Sequence, residues 1–166
     1  MIKQLIEEFV NIYNEFVNLV IDDAKKHDVD LGFCLIETKK KFISTNKLEQ
    51  LVYNYYFPND TPIEFLIIEN EIKKIGNYNF FARNSIHDLY YAYSKNTNEI
   101  VAMDDSGETI YYVAKDIEHF FKIMIKVISY KAIEFKGESK LIKKDFKILN
   151  KLAGGNKYTY VSNILV

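Results

Sequence analysis

The chain is poor in the residues that usually announce a chemistry. Among 166 residues there are one cysteine, three histidines, two prolines, six glycines and no tryptophan. A lone Cys34 cannot form an intramolecular disulfide, so the core alone must hold the fold, and nothing points to an oxidising compartment. The histidines His27, His87 and His119 are widely separated, with no His-x-x-x-His or Cys-x-x-Cys pair, so neither a metal nor any other cofactor is expected. Long hydrophobic runs are missing too: no stretch approaches the ~20 apolar residues of a membrane span. Glu7, Glu8, Asn11 and Asn14 interrupt the N-terminal apolar residues, which leaves no room for an export signal. The expectation is a cytoplasmic protein with no membrane contact.

What is present is the material for a large core. Hydrophobic residues make up 48% of the chain, including 13 Tyr and 12 Phe, and the length suits a single, autonomously folding domain. The net charge of −1 hides an uneven distribution: residues 1–59 sum to −2, residues 60–120 to −6 and residues 121–166 to +7. The middle is acidic and the tail basic.

Periodicity divides the chain into elements. Ile2, Leu5, Ile6, Phe9, Val10, Tyr13, Phe16, Val17 and Val20 recur every three or four residues and predict an amphipathic helix ending near residue 27. Residues 31–36 predict a short strand and 44–56 a helix ending before Pro58. Thr61, Pro62 and Glu64 resemble a helix start, yet the following Phe65-Leu66-Ile67-Ile68 is strand-like, and so short a run leaves both open. From Gly76 onward, aromatic and β-branched runs over 78–82, 88–93, 99–103 and 109–113 predict strands. The turns Lys95-Asn96-Thr97-Asn98 and Asp104-Asp105-Ser106-Gly107 separate them into an antiparallel meander. Asp116 caps a helix whose stripe runs from Ile117 to Ile128. Ser139 opens another that stops at Gly154-Gly155, and residues 156–166 predict one more short helix despite the strand propensity of Tyr158 to Val161.

Four segments together resemble the SUKH (Smi-Knr-like) superfamily: IGNYNFFARN at 75–84, HDLYYAYS at 87–94, NEIVAMDD at 98–105 and VAKDIEHFF at 113–121. Their order and spacing match the family's apolar-Phe-Ala strand, aromatic strand, hairpin and helix start. The resemblance covers about a third of the chain. It implies an α+β fold with a bent antiparallel sheet of about four to six strands flanked by helices, a long one at the N-terminus and others at the C-terminus. It also implies a bacterial immunity protein, a binder rather than an enzyme, that neutralises a cognate toxin of nuclease or deaminase type.

Several residues could carry function, each with an ordinary alternative. Cys34 could be a nucleophile if a histidine approached it, but Leu31-Gly-Phe-Cys-Leu-Ile reads as core. Asp104, Asp105 and Glu108 could form a carboxylate pair or cation site, but they lie in hairpin-turn chemistry. Lys140, Lys144, Lys147 and Lys151, with Lys143 beside them, form a basic stripe on one helix face that could contact nucleic acid; a solvated face is the ordinary reading. The sharper candidate is a partner surface on the acidic, tyrosine-rich sheet, comprising Asp88, Tyr90, Tyr91, Tyr93, Asp104, Asp105, Glu108 and Tyr111. Strand parity means only some of these can face outward.

Overall fold

The computed structural model describes residues 2–39, 42–138 and 143–165. Helix α1 (Ile2–Lys25) buries Ile6, Phe9, Val10, Tyr13, Phe16 and Val17 along one stripe, each side chain contributing about 1.5–3 kcal/mol by leaving water. It ends where Asp28 turns left-handed at φ +56°. Residues 31–36 do not form the expected strand. Gly32 sits at φ +65°, and the side chain of Asn14 on α1 takes over the backbone of Ile36. Asn14 Oδ1 accepts from the Ile36 N–H at 2.8 Å, and its Nδ2 donates to the Ile36 carbonyl at 3.1 Å. A helix side chain thus replaces a strand neighbour.

The strand appears just beyond, as β1 (Glu37–Thr38). Helix α2 (Lys47–Asn54) follows, shorter than the sequence suggests because Asn46 caps it by accepting from the Leu48 and Glu49 N–H groups. Then β2 (Tyr55–Tyr56) pairs antiparallel with β1 as a small ribbon. Thr61 caps no helix; its hydroxyl accepts from the buried Tyr13 hydroxyl at 2.6 Å and from the Ile63 N–H.

Of the ambiguous run after Thr61, Ile67 and Ile68 enter a strand, while Phe65 and Leu66 lie in the turn that leads into it. The main sheet is a five-stranded antiparallel meander of β3 (Ile67–Ile75), β4 (Tyr78–Asn84), β5 (Leu89–Ser94), β6 (Ile100–Met103) and β7 (Thr109–Ala114), ordered in space as in sequence. The fold is therefore α+β, as the sequence predicts. Asp116 caps α3 (Ile117–Phe135), accepting from the His119 N–H. Helix α4 (Lys143–Ala153) follows; the Ser139 start signal lies outside the described residues. Residues 156–159 do not extend the expected last helix, which shrinks to a single π-turn, Val161–Leu165.

One cluster of buried residues draws on all four helices, the π-turn and one face of the sheet. Phe120 lies at its centre, edge-on to Phe81 at 5.3 Å and to Tyr91 at 5.8 Å between ring centroids. Its buried tyrosine hydroxyls find partners within the protein, whereas Asn79 Oδ1, on the same side of the sheet, is buried without one among the described residues. The Tyr91 hydroxyl donates to the Phe65 carbonyl at 2.8 Å and lies 3.1 Å from the Tyr160 hydroxyl, which accepts from Asn84 Nδ2 at 2.8 Å. Burial pushes the Tyr91 hydroxyl pKa well above 10.0. Gly154 is needed where α4 ends: at φ +120°, a Cβ there would lie 2.4 Å from the Lys115 Cβ, while the Lys115 N–H donates to the Ala153 carbonyl.

Candidate functional site

The sheet has two faces, and pairing register assigns residues to each, because directly opposite side chains share a face. Tyr91 pairs with Ala82 and Ala102, and Ala102 with Tyr111. These residues face the helices. The other face reads as two rows spanning all five strands. One is Lys73, Phe80, Ala92, Val101 and Tyr112; the other is Ile67, Arg83, Tyr90, Met103 and Thr109. Ala92, Val101 and Met103 form a second, separate apolar cluster, against which Tyr78 and Phe80 pack. Every member of that cluster comes from the sheet itself, and no described helix contributes to it.

The result is an uncovered apolar face. Ala92 and Ser94 are small and buried beneath the larger side chains of the flanking strands. Tyr90 and Tyr112 are each 41% exposed, although Val101 beside them is only 3% exposed. The Lys157 ammonium lies 3.8 Å from the centroid of the Tyr112 ring, a cation–π contact. Lys157 also donates to Glu99 Oε1 at 2.6 Å, as does the Tyr158 hydroxyl. Burial pushes the Glu99 carboxyl up, but the bonds from Lys157, Tyr158 and Thr97 outweigh it and hold the group below its ordinary value.

The residues expected at a partner surface divide accordingly. Tyr90 is on the open face. Tyr91 is fully buried under the helices, because a strand must turn every second side chain inward. Tyr111 packs against Tyr160 at 5.3 Å and also faces inward. Tyr93 pairs with Asn79 and Ile100 on the helix side and bonds to Asn98. Tyr78, Phe80 and Tyr112 belong to the open face and were not among the expected residues. Parity through the paired strands is the signal that places them, but bulges between Phe80 and Ala82 and along β7 interrupt its simple counting.

The acidic residues gather at one end. The β4–β5 and β6–β7 turns lie at the same end of the meander, which brings Asp88 together with Asp104, Asp105 and Glu108. Among the described residues, none of the four has an ion-pair partner. Asp104 is partly structural: its Oδ1 accepts from the Ser106 N–H, the Ser106 hydroxyl and the Glu108 N–H, and these bonds lower its pKa. Asp105 and Glu108 are exposed. Glu99 lies at the opposite end, neutralised by Lys157. Lys95 also lies there, exposed, and its ammonium donates to the Gly76 carbonyl; Lys73, exposed as well, lies in the middle row, level with Ala92 and Val101.

The remaining candidates carry less. Cys34 is exposed rather than buried, because residues 31–36 run over the surface instead of entering a sheet. Its thiol meets only the Gly32 carbonyl, at 3.8 Å. His119 Nδ1 lies 2.7 Å from the capping carboxylate of Asp116, and no cluster of metal-ligating side chains occurs among the described residues. Lys147 and Lys151 are exposed on α4 opposite buried Leu149, as on a solvated face. Lys140 lies outside the described residues, and Lys143 and Lys144 are described only in their backbone. An open cleft of about 530 Å³ lies where α2 and α3 begin, lined by Lys47, Tyr93, Asp116 and Glu118 among others. Asn46 and Asp116 already cap both helices there. No described helix is long and apolar enough to cross a membrane.

Compared with family models, curated proteins and solved structures, the chain matches none.

Proposed function

We propose that this chain is a non-enzymatic immunity protein of the SUKH type, acting in the cytoplasm by binding and neutralising a cognate toxin of nuclease or deaminase type. The observation that carries the reading is the aromatic face of the sheet that no described helix covers, with Asp88, Asp104, Asp105 and Glu108, which have no ion-pair partner among the described residues, at one end. An enzyme acting on nucleic acid needs a basic surface to hold phosphates. Asp88, Asp104, Asp105 and Glu108 would steer such a surface inward. Tyr90 and Tyr112 would then supply the desolvated aromatic contacts that dominate binding energy. Occupying the toxin's phosphate-binding surface is sufficient to block it, so no catalytic group is required of the inhibitor.

The test uses capture from the protein's own lysate at moderate salt, followed by assay of the captured component. The expected result is a nuclease or deaminase domain retained in stoichiometric amount and inhibited by the purified chain. Asp105→Lys combined with Glu108→Lys should lower affinity at least tenfold, because both side chains are exposed and neither holds the turn. Undiminished inhibition by that double variant, or retention of nucleic acid alone, would overturn the reading.

A further inference from the structure

Tyr90 and Tyr112 are equally exposed on the open face, yet they differ in what stands over their rings. The Lys157 ammonium lies 3.8 Å from the Tyr112 centroid, and Glu99 compensates its charge at 2.6 Å. The face thus carries one complete set of aromatic ring, cation and carboxylate, supplied by the chain itself. Around Tyr90 two of those three parts are present. Asp88 lies two residues before it, and Asp104 and Asp105 follow Met103, the residue opposite Tyr90 on β6. Among the described residues no cation stands over the Tyr90 ring. The nearest in register is Arg83, paired with Tyr90 across β4. Its Nε donates to Glu69 Oε1 on β3 at 3.1 Å, so that guanidinium is already engaged.

We propose that Tyr90 is the seat of an arginine side chain of the partner, with Asp88 and Asp105 as its counter-charges. Charge fixes the sign of the occupant: carboxylates with no ion-pair partner among the described residues attract a cation and repel an anion. Asp104 is committed to its own turn through the Ser106 and Glu108 N–H groups, which leaves the exposed Asp88 and Asp105 to meet the ligand. The ring fixes the shape. A guanidinium is planar and weakly hydrated, so it stacks on a tyrosine face while its N–H fork donates bidentately to a carboxylate. A lysine ammonium answers the charge but is compact and strongly hydrated, and it gains less from the ring.

The inference rests on the toxin reading only for the protein that carries the arginine, and it narrows that reading from a basic surface to one kind of side chain at one place. Arginine is the residue that recognises phosphate bidentately. Its capture at Tyr90 takes away a group that an enzyme acting on nucleic acid uses to hold its substrate.

Calorimetric titration of the purified chain at low salt tests it, with a short oligoarginine peptide and an oligolysine peptide of equal length as probes. Oligoarginine should bind about fivefold more tightly than oligolysine. Tyr90→Leu should abolish that preference while leaving oligolysine affinity within about twofold, because the carboxylates are untouched. Tyr90→Phe retains the ring and should keep the preference, and Asp88→Asn with Asp105→Asn should weaken both peptides. Each variant is checked as folded by its circular dichroism. Equal affinity of the wild type for the two peptides, or a preference that survives Tyr90→Leu, overturns the proposal. The two readings fail separately. Capture of no toxin leaves the peptide preference standing, whereas a toxin inhibited equally well by wild type and Tyr90→Leu removes the arginine seat and leaves the toxin reading intact.

Discussion

The two faces of the sheet are built from the same residue types and do different work. On the helix side, Tyr91, Tyr111 and Tyr160 are locked into ring contacts, and the Tyr91 and Tyr160 hydroxyls are bound to partners inside the protein. On the other side, Tyr90 and Tyr112 bury much of their rings against their own sheet and leave the rest to solvent. Tyr90 and Tyr91 are adjacent in sequence, and a single step along the strand separates a core residue from a surface one. The difference teaches that tyrosine content marks neither core nor interface. What decides is strand parity, and the hydroxyls of Tyr91 and Tyr160 that it turns inward then find partners within the protein.

The contrast predicts a wide gap in mutational cost. Phe120→Ala should lower unfolding free energy by about 3–5 kcal/mol, since it removes the ring that Phe81 and Tyr91 both contact. Tyr90→Ala should cost less, about 1–2 kcal/mol in the same urea titration, for the part of the ring that it buries. Equal costs would break the comparison. A finer cut removes only hydroxyls. Tyr91→Phe leaves the Phe65 carbonyl buried without its donor and should cost about 1–3 kcal/mol, whereas Tyr90→Phe should be neutral.

A smaller effect belongs to the margin where the faces meet. Glu99 has a pKa held below its ordinary 4.5, so its contribution to stability is present above that value and is lost as pH falls through the lower folded value. Glu99→Gln should remove that part of the acid dependence, visible as a flatter midpoint-versus-pH curve below about pH 4.5, with Lys157 losing its partner at all higher pH. The smallest effect expected is at Tyr112. Tyr112→Phe keeps the ring under Lys157 and should leave thermal stability unchanged.

Much of the sheet was legible from sequence because β4 to β7 alternate aromatic and β-branched residues with Asn, Asp and Gly turns, whose chemistry is local. Their ends differ from expectation by a residue or two. Strand β3 was harder: its second half, Glu-Ile-Lys-Lys-Ile, carries the charges of an outer strand and lacks a clean alternation. Residues 31–36 misled because a strand-like composition is held by Asn14, more than twenty positions away. Cys34 was misplaced with them. At the candidate site, the acidic turns were legible and the tyrosines only half so. Composition cannot say which parity faces the helices, and that assignment waits on the packing of Phe120 and Tyr160.

The bulges have a bearing on the rims of the sheet as well as on its counting. Pairing between β6 and β7 shifts register twice, and that between β3 and β4 shifts between Ile68 and Lys73. Both outermost strands are therefore irregular, and β3 adds Glu69, Glu71 and Lys73. A neighbouring molecule seeking to extend the sheet would meet a backbone out of step, so the in-register strand addition that seeds fibrils is discouraged at both rims. A chain this rich in aromatic strands can keep one whole apolar face uncovered and still resist aggregating edge to edge.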